Sequence, residues 1–338
     1  MSQYQHLSNP DPEFSARWQP RPPLVLNLAE INKMRQGFKM FAIAPYLKYW
    51  EERLPQLPAE SLYKVQDHEV PVEGGAIRAR AVVPTAEDDQ ATFPLLVWLH
   101  SGGWMNGDID MDDAWLRTVC VELGISILNV EYRLLPEHPW PAALDDSYAA
   151  VKWAADHADI LGASLAKGFI VAGASSGANT AVAIVHRARS DPFFEAKKIT
   201  GHALQIPMLM HPDAYPDQWK PELLSMEQNK DAPAVNKSAI EGLCKLTQAS
   251  PTDPRFSVLL APHEGVPPLY LQVCGLDPLR DEGFLYEKLL QEKNTKTKSD
   301  VCSGVPHNFQ LSMPDIGQAV KFDRDFRDGV KWLLANPA

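Results

Sequence analysis

The chain has 338 residues, enough for one large domain with an appendage or for two ordinary domains, and long enough to bury a sizeable core. Hydrophobic residues make up 45% and charged residues 22%, the balance of a globular protein, which excludes a disordered or fibrous chain. Lys and Arg number 32 against 43 Asp and Glu, a net charge of −11 that disfavours nucleic acid, and no basic patch offsets it.

Taken in chain order, the opening segment MSQYQHLSNPDPEF has neither a basic n-region nor an apolar h-region. It does not read as a secretory signal, so the expected location is cytoplasmic. No apolar run approaches the ~18 residues of a membrane span. The 29 prolines concentrate before Pro23, between Pro207 and Pro221, and from Pro251 to Pro268, which marks irregular zones there. Residues 65–83 read as a hairpin: Gly74-Gly75 supplies the turn, Ile77, Ala79, Ala81 and Val83 share one face, and Arg78 and Arg80 face water. From there the pattern becomes short, continuous apolar runs at 94–100, 125–132, 168–174, 199–208, 267–275 and 298–304. Helical periodicity fills 112–123, 142–158, 176–189, 280–292 and 316–334, with Ala319, Phe322, Phe326, Val330 and Leu333 forming one buried stripe. Strands buried on both faces and alternating with helices predict an α/β protein with a mostly parallel sheet. About sixty residues separate the runs at 199–208 and 267–275, so an insertion lies between them. Cys120, Cys244, Cys274 and Cys302 form no CxxC pair, and all but Cys244 fall in apolar stretches, as buried thiols do.

The chemistry concentrates at Gly173-Ala174-Ser175-Ser176-Gly177, a GxSxG directly after an apolar strand and directly before a helix. A serine on that sharp turn needs glycines at both flanks, and the helix N-terminus behind it favours developing negative charge. A serine hydroxyl is a weak nucleophile at neutral pH and needs a base that is itself oriented by an acid. Downstream, Asp277 follows a strand in GLDPLRDEG and His307 follows another in GVPHNF. The order Ser175, Asp277, His307 belongs to α/β-hydrolases rather than to chymotrypsin or subtilisin. Asp277 stands nearest the strand end, while Asp281 and Glu282 read as first-turn acids of the following helix. Upstream, Ser101-Gly102-Gly103-Trp104 follows a strand as a glycine loop whose N–H groups, with that of Ser176, would form an oxyanion hole. No histidine pair has metal-ligand spacing, which argues against a zinc hydrolase.

With these residues in place, the sequence resembles the hormone-sensitive-lipase-like branch of the α/β-hydrolases from about Pro94 to the C-terminus. HSGGW stands for the family's HGGG and aromatic, GASSGA for its GDSAGG, and GLDPLRDEG and PHNF for its acid and histidine blocks. EYRLLPEHPWPAALDD, at 131–146, is the most specific match, and its residues read as a brace for the oxyanion loop. The resemblance implies an α/β-hydrolase fold with a helical cap, Ser175 as nucleophile, His307 as base, Asp277 as orienting acid, and the Gly102, Gly103 and Ser176 amides as the hole. Three positions depart from the pattern. Ser101 replaces the first glycine, Ala174 replaces an acid, and Ser176 replaces an alanine, its extra hydroxyl free either to touch the substrate or, as the preferred reading, to cap the helix.

The family further implies a cap built from 1–62 and 209–262, over a core of 63–208 and 263–338. Phe38, Phe41, Tyr46, Tyr49 and Trp50 at one end and Tyr215 and Trp219 at the other suit an apolar pocket, with Trp104 and Ser101 beside the oxyanion loop. The expected activity is hydrolysis of short-to-medium acyl esters with no metal and no cofactor, on a small-molecule substrate. Members of the family are often dimers, which leaves a homodimer open, although no interface is marked in the sequence. Two alternatives share the fold: acyl-transfer, lactone or thioester chemistry on the same triad, and a non-catalytic small-molecule receptor, against which His307 counts.

Overall fold

The computed structural model describes residues 3–20, 30–86, 88 and 90–338. Of the 1–62 segment, residues 1–2 and 21–29 therefore lie outside the described residues. The hairpin and the six apolar runs become one eight-stranded sheet: β1 (Tyr63–Val72), β2 (Gly75–Pro84), β3 (Leu95–Leu99), β4 (Ser126–Val130), β5 (Phe169–Ala174), β6 (Gly201–Gln205), β7 (Leu269–Cys274) and β8 (Thr297–Cys302). Their spatial order is β1-β2-β4-β3-β5-β6-β7-β8. The hairpin β1–β2 and the β2–β4 pair are antiparallel, and the other pairs are parallel.

Helices α1 (Pro12–Arg17), α2 (Ile31–Phe38) and α3 (Ala44–Glu51) precede the sheet, with a π-helical turn at Lys39–Ile43 joining the last two. Within the sheet region lie α4 (Asp113–Leu123), α5 (Ala142–Asp156) and α6 (Ser176–Ala188). The insertion carries α7 (Ser225–Gln228) and α8 (Lys237–Thr247), and α9 (Arg280–Gln291), α10 (Phe309–Ser312) and α11 (Gly317–Ala335) complete the chain. No helix among the described residues is long and apolar enough to cross a membrane.

The two faces of the sheet feed separate cores. Along β3, Leu95, Val97 and Leu99 join one cluster and Leu96 and Trp98 the other. β5 divides likewise, Phe169 and Val171 against Ile170, Ala172 and Ala174. This two-sided burial is why these strands read as unbroken apolar runs. The α11 stripe of Ala319, Phe322, Phe326, Val330 and Leu333 is buried as its spacing indicates. Between β3 and β5 the chain reverses its direction of travel across the sheet: β4 lies on one side of β3 and β5 on the other. In an open α/β sheet such a reversal leaves a crevice at the carboxyl ends of the strands, and ligands bind there.

One expectation is corrected. Arg80 does not face water: its side chain is 13% exposed and donates to Asp67 at 2.7 Å, Asp110 at 2.7 Å and Asp113 at 3.1 Å. Strand alternation shows which face a residue takes, but not that three carboxylates from β1 and the start of α4 converge there. Cys244 is buried with the other three cysteines, and all four are free.

A directional chain of polar groups, exposed at Arg189 and buried from His186 inward, ties β6 to α6 and α9. Arg189 donates to His186 Nδ1 (3.3 Å), leaving His186 Nε2–H to donate to the Tyr286 oxygen (3.1 Å). Tyr286 O–H then serves His202 Nε2 (3.2 Å), and His202 Nδ1–H reaches the Pro268 carbonyl (3.1 Å). This assignment of the protons satisfies every group with both rings neutral. Burial holds His202 neutral by pushing its pKa from 6.5 down to about 3. In the unfolded chain the ring protonates near 6.5, so this group's contribution is complete above pH 6.5 and is lost as pH falls toward 3. Denaturant titrations are expected to show the loss over that window, and His202→Gln to remove its share of the pH dependence.

Candidate active site

The site is assembled from the carboxyl ends of β3, β5, β7 and β8. At the end of β5 the backbone turns sharply, with Ser175 at φ +53° and ψ −113° before α6 begins at Ser176. The flanking glycines are required by close approach. A Cβ on Gly177 would lie 2.1 Å from the Leu99 carbonyl oxygen, and one on Gly173 would lie 2.5 Å from that of Gly177. Ser175 N–H donates to the Gln205 carbonyl of β6 at 2.9 Å, which fixes the turn from the other side.

Ser175, Asp277 and His307 meet as the sequence order suggests. Ser175 Oγ lies 2.7 Å from His307 Nε2, and His307 Nδ1 lies 2.7 Å from Asp277 Oδ2. With Asp277 accepting, the proton sits on Nδ1 and Nε2 is free to accept from the serine hydroxyl. The other Asp277 oxygen accepts from Leu279 N–H at 2.8 Å. All three side chains are buried.

After β3, residues 101–106 form a tight loop in which Gly102 has φ +124° and Gly103 has φ +65°. A Cβ on Gly102 would sit 2.2 Å from the Asn106 carbonyl oxygen, so the loop excludes any larger residue there. The 131–146 segment holds the loop in place. Tyr132 O–H donates to the His100 carbonyl (2.7 Å), Leu135 N–H to that of Trp104 (2.8 Å), and Arg133 pairs with buried Asp146 at 2.6 Å. Among the described residues nothing accepts from Gly102 N–H or Ser176 N–H. Gly103 N–H is engaged, donating to Ser176 Oγ at 2.9 Å. This corrects the expected helix cap: the Ser176 hydroxyl turns toward the glycine loop, and α6 has no side-chain cap.

A cavity of about 90 Å³ opens at Ser175, His307, Gly102 and Gly103. Its remaining wall is largely apolar, with Trp104 and Met208 from the core, Phe38 from α2, and Ile240 and Leu243 from α8. Of the expected pocket residues, Trp104 is there, its Nε1–H tied to Thr180 Oγ1 at 3.0 Å. Ser101 instead lines a separate cavity of about 70 Å³ behind the turn, with Tyr46, Tyr49, Trp50, Trp98 and Trp115. Phe41 is exposed. Tyr215 donates to Glu282, and Trp219 packs on the core, so neither lines the site. Sequence reading missed Ile240 and Leu243, although the amphipathic pattern of α8 marked a face in need of a partner.

Asp281 and Glu282 prove to be more than first-turn acids. Asp281 accepts from the Leu224 and Ser225 N–H groups at 2.9 and 2.7 Å, and Glu282 from those of Leu209 and Met210 at 2.6 and 3.0 Å. Both therefore tie the insertion to the helix that follows Asp277. From the insertion, Asn229 Nδ2 and Ser225 Oγ in turn donate to the Asp277 and Pro278 carbonyls at 2.9 and 2.7 Å.

Residues 96–311 match the family model described as the alpha/beta hydrolase fold. The chain belongs to the α/β-hydrolase family. Its place is in the hormone-sensitive-lipase-like branch, and it is an enzyme of the serine-hydrolase class. It is similar to Esterase LipI of Mycobacterium tuberculosis, 33% identical over 76% of this chain and 76% of the relative. It is 31% identical to the versiconal hemiacetal acetate esterase of Dothistroma septosporum over 73% of this chain and 75% of that one. The solved structure of vibralactone cyclase superposes with a TM-score of 0.92 at 38% identity, covering 98% of this chain and 96% of that one.

Burial raises the Glu282 carboxyl from 4.5 to about 8, against the opposing pull of the Tyr215 hydroxyl and the two amides. The fold thus holds a proton that the unfolded chain releases near 4.5, so stability from this group is lost as pH rises from 4.5 to about 8. Glu282→Gln retains an acceptor for the two amides and cannot ionise. Thermal unfolding across that range is expected to show a smaller alkaline decline in the variant than in the wild type.

Proposed function

We propose that the protein is a serine carboxylesterase acting on short-to-medium acyl esters through an acyl-enzyme. The observation that carries this reading is the position of the His307 ring, within 2.7 Å of both the Ser175 hydroxyl and the Asp277 carboxylate. Ser175 Oγ attacks the ester carbonyl while His307 Nε2 takes its proton, and Asp277 orients the ring and stabilises the imidazolium that forms. Negative charge develops on the carbonyl oxygen beside the Gly102 and Ser176 amides and the N-terminus of α6, where backbone dipoles are already aimed. The imidazolium returns the proton to the departing alcohol, and water then repeats the sequence to release the acid. We take the segments around α2 and α8 as the cap, since Phe38, Ile240 and Leu243 close the cavity above the serine.

A second reading, acyl transfer to a hydroxyl within the substrate to give a lactone, is favoured by the likeness to vibralactone cyclase over nearly the whole chain. It uses the same residues and differs in which oxygen resolves the acyl-enzyme. The receptor reading is disfavoured by the intact Ser175–His307–Asp277 contacts.

Hydrolysis of p-nitrophenyl acetate, butyrate, octanoate and palmitate at neutral pH with EDTA present tests the proposal. Activity is expected on the short esters and a loss of about 10³-fold or more in Ser175→Ala; a variant that keeps wild-type turnover overturns the reading. Product analysis with hydroxy esters separates hydrolysis from lactone formation. A small cavity floored by the serine implies that Leu243→Ala shifts preference toward octanoate, with the octanoate-to-butyrate ratio of kcat/KM rising by about tenfold.

A further inference from the structure

The Ser176 hydroxyl stands where the family resemblance has a methyl group, and it is neither a helix cap nor free. Its oxygen accepts the Gly103 N–H at 2.9 Å. Ser176 is 1% exposed, so its hydroxyl is held inside the wall of the cavity that Gly103 lines. The Gly102 and Ser176 amides, which border the same cavity, have no acceptor among the described residues.

We propose that the Ser176 side chain is a positioning residue that withholds the Gly103 amide from the reacting oxygen, so that the resting enzyme stabilises the tetrahedral intermediate with two amides rather than three. The inference rests on the esterase reading above. It follows from the arithmetic of donors: an N–H already bonded inside the wall must exchange that acceptor for the oxyanion, whereas the free amides of Gly102 and Ser176 have nothing to exchange. Removal of one amide from an oxyanion hole lowers kcat about 10² to 10³-fold. Release of one already shared with an internal acceptor returns part of that, about tenfold.

The test is Ser176→Ala, which removes only the hydroxyl and leaves the residue's own backbone N–H in place. With p-nitrophenyl butyrate, kcat is expected to rise about tenfold with little change in KM, because the freed amide meets charge that exists only in the transition state. Inhibition by a boronic acid that forms a tetrahedral adduct with Ser175 is expected to tighten by a similar factor. Amide exchange followed by NMR reads the hydrogen bond without turnover: Gly103 N–H is expected to be protected in the wild type and to exchange at least tenfold faster in Ser176→Ala. An unchanged or lower kcat in Ser176→Ala, with wild-type activity abolished by Ser175→Ala, overturns this inference and leaves the esterase reading standing. A wild type inert on all esters overturns the esterase reading instead. In that case equal Gly103 exchange in the two proteins overturns the inference, and faster exchange in the variant supports the withheld amide.

Discussion

Everything at the site depends on how closely α6 approaches the carboxyl end of β3. Gly177 brings the helix so near the Leu99 and His100 carbonyls that a Cβ there would meet them at 2.1 and 2.4 Å. That contact sets Ser175 on the turn above β5 and sets the glycine loop after β3 beside it. Because β3 and β5 are neighbours in register, with Leu99 opposite Gly173, Ser175 and the Gly102 and Ser176 amides share one crevice without any long-range adjustment. Asp277 and His307 arrive from β7 and β8, farther along the same edge. The arrangement is a property of the parallel part of the sheet, which delivers the carboxyl ends of β3 to β8 to one side.

Much of this was legible in the sequence. The runs ending in Leu99, Ala174 and Cys274 are continuous because both faces of those strands are buried, so each announces itself and the loop that follows it. The loops then needed only the chemistry of their residues: a serine between glycines, an acid at a strand tip, a histidine in the last loop. Asp277 was separable from Asp281 by distance from the strand end, and in the structure Asp281 is occupied by Arg280 and by two amides of the insertion.

What the sequence did not reveal are contacts between positions far apart in the chain whose residue types have several ordinary uses. Ser176 at the first turn of a helix is most often a cap, and only the three-dimensional position of Gly103, 73 residues earlier, makes its hydroxyl an acceptor for the loop. Tyr215 was placed at the pocket by the cap that the family resemblance implies, although an aromatic at such a position is more often ordinary packing; its partner Glu282 lies 67 residues away. The aromatics near the N-terminus were read as one group and separate into two cavities. Phe38 stands over the serine, while Tyr46, Tyr49 and Trp50 stand behind the turn. Amphipathic spacing identifies a face that needs cover and is silent about which neighbour supplies it.

The first turn of α9 serves two structures at once. Its carboxylates hold the backbone of the insertion, while the insertion's Asn229 and Ser225 hold the carbonyls of Asp277 and Pro278. The insertion and the backbone that carries Asp277 are thus tied to each other by hydrogen bonds given in both directions. A change at position 229, 281 or 282 would therefore reach the backbone of Asp277 through the insertion, although none of the three lines the cavity at Ser175.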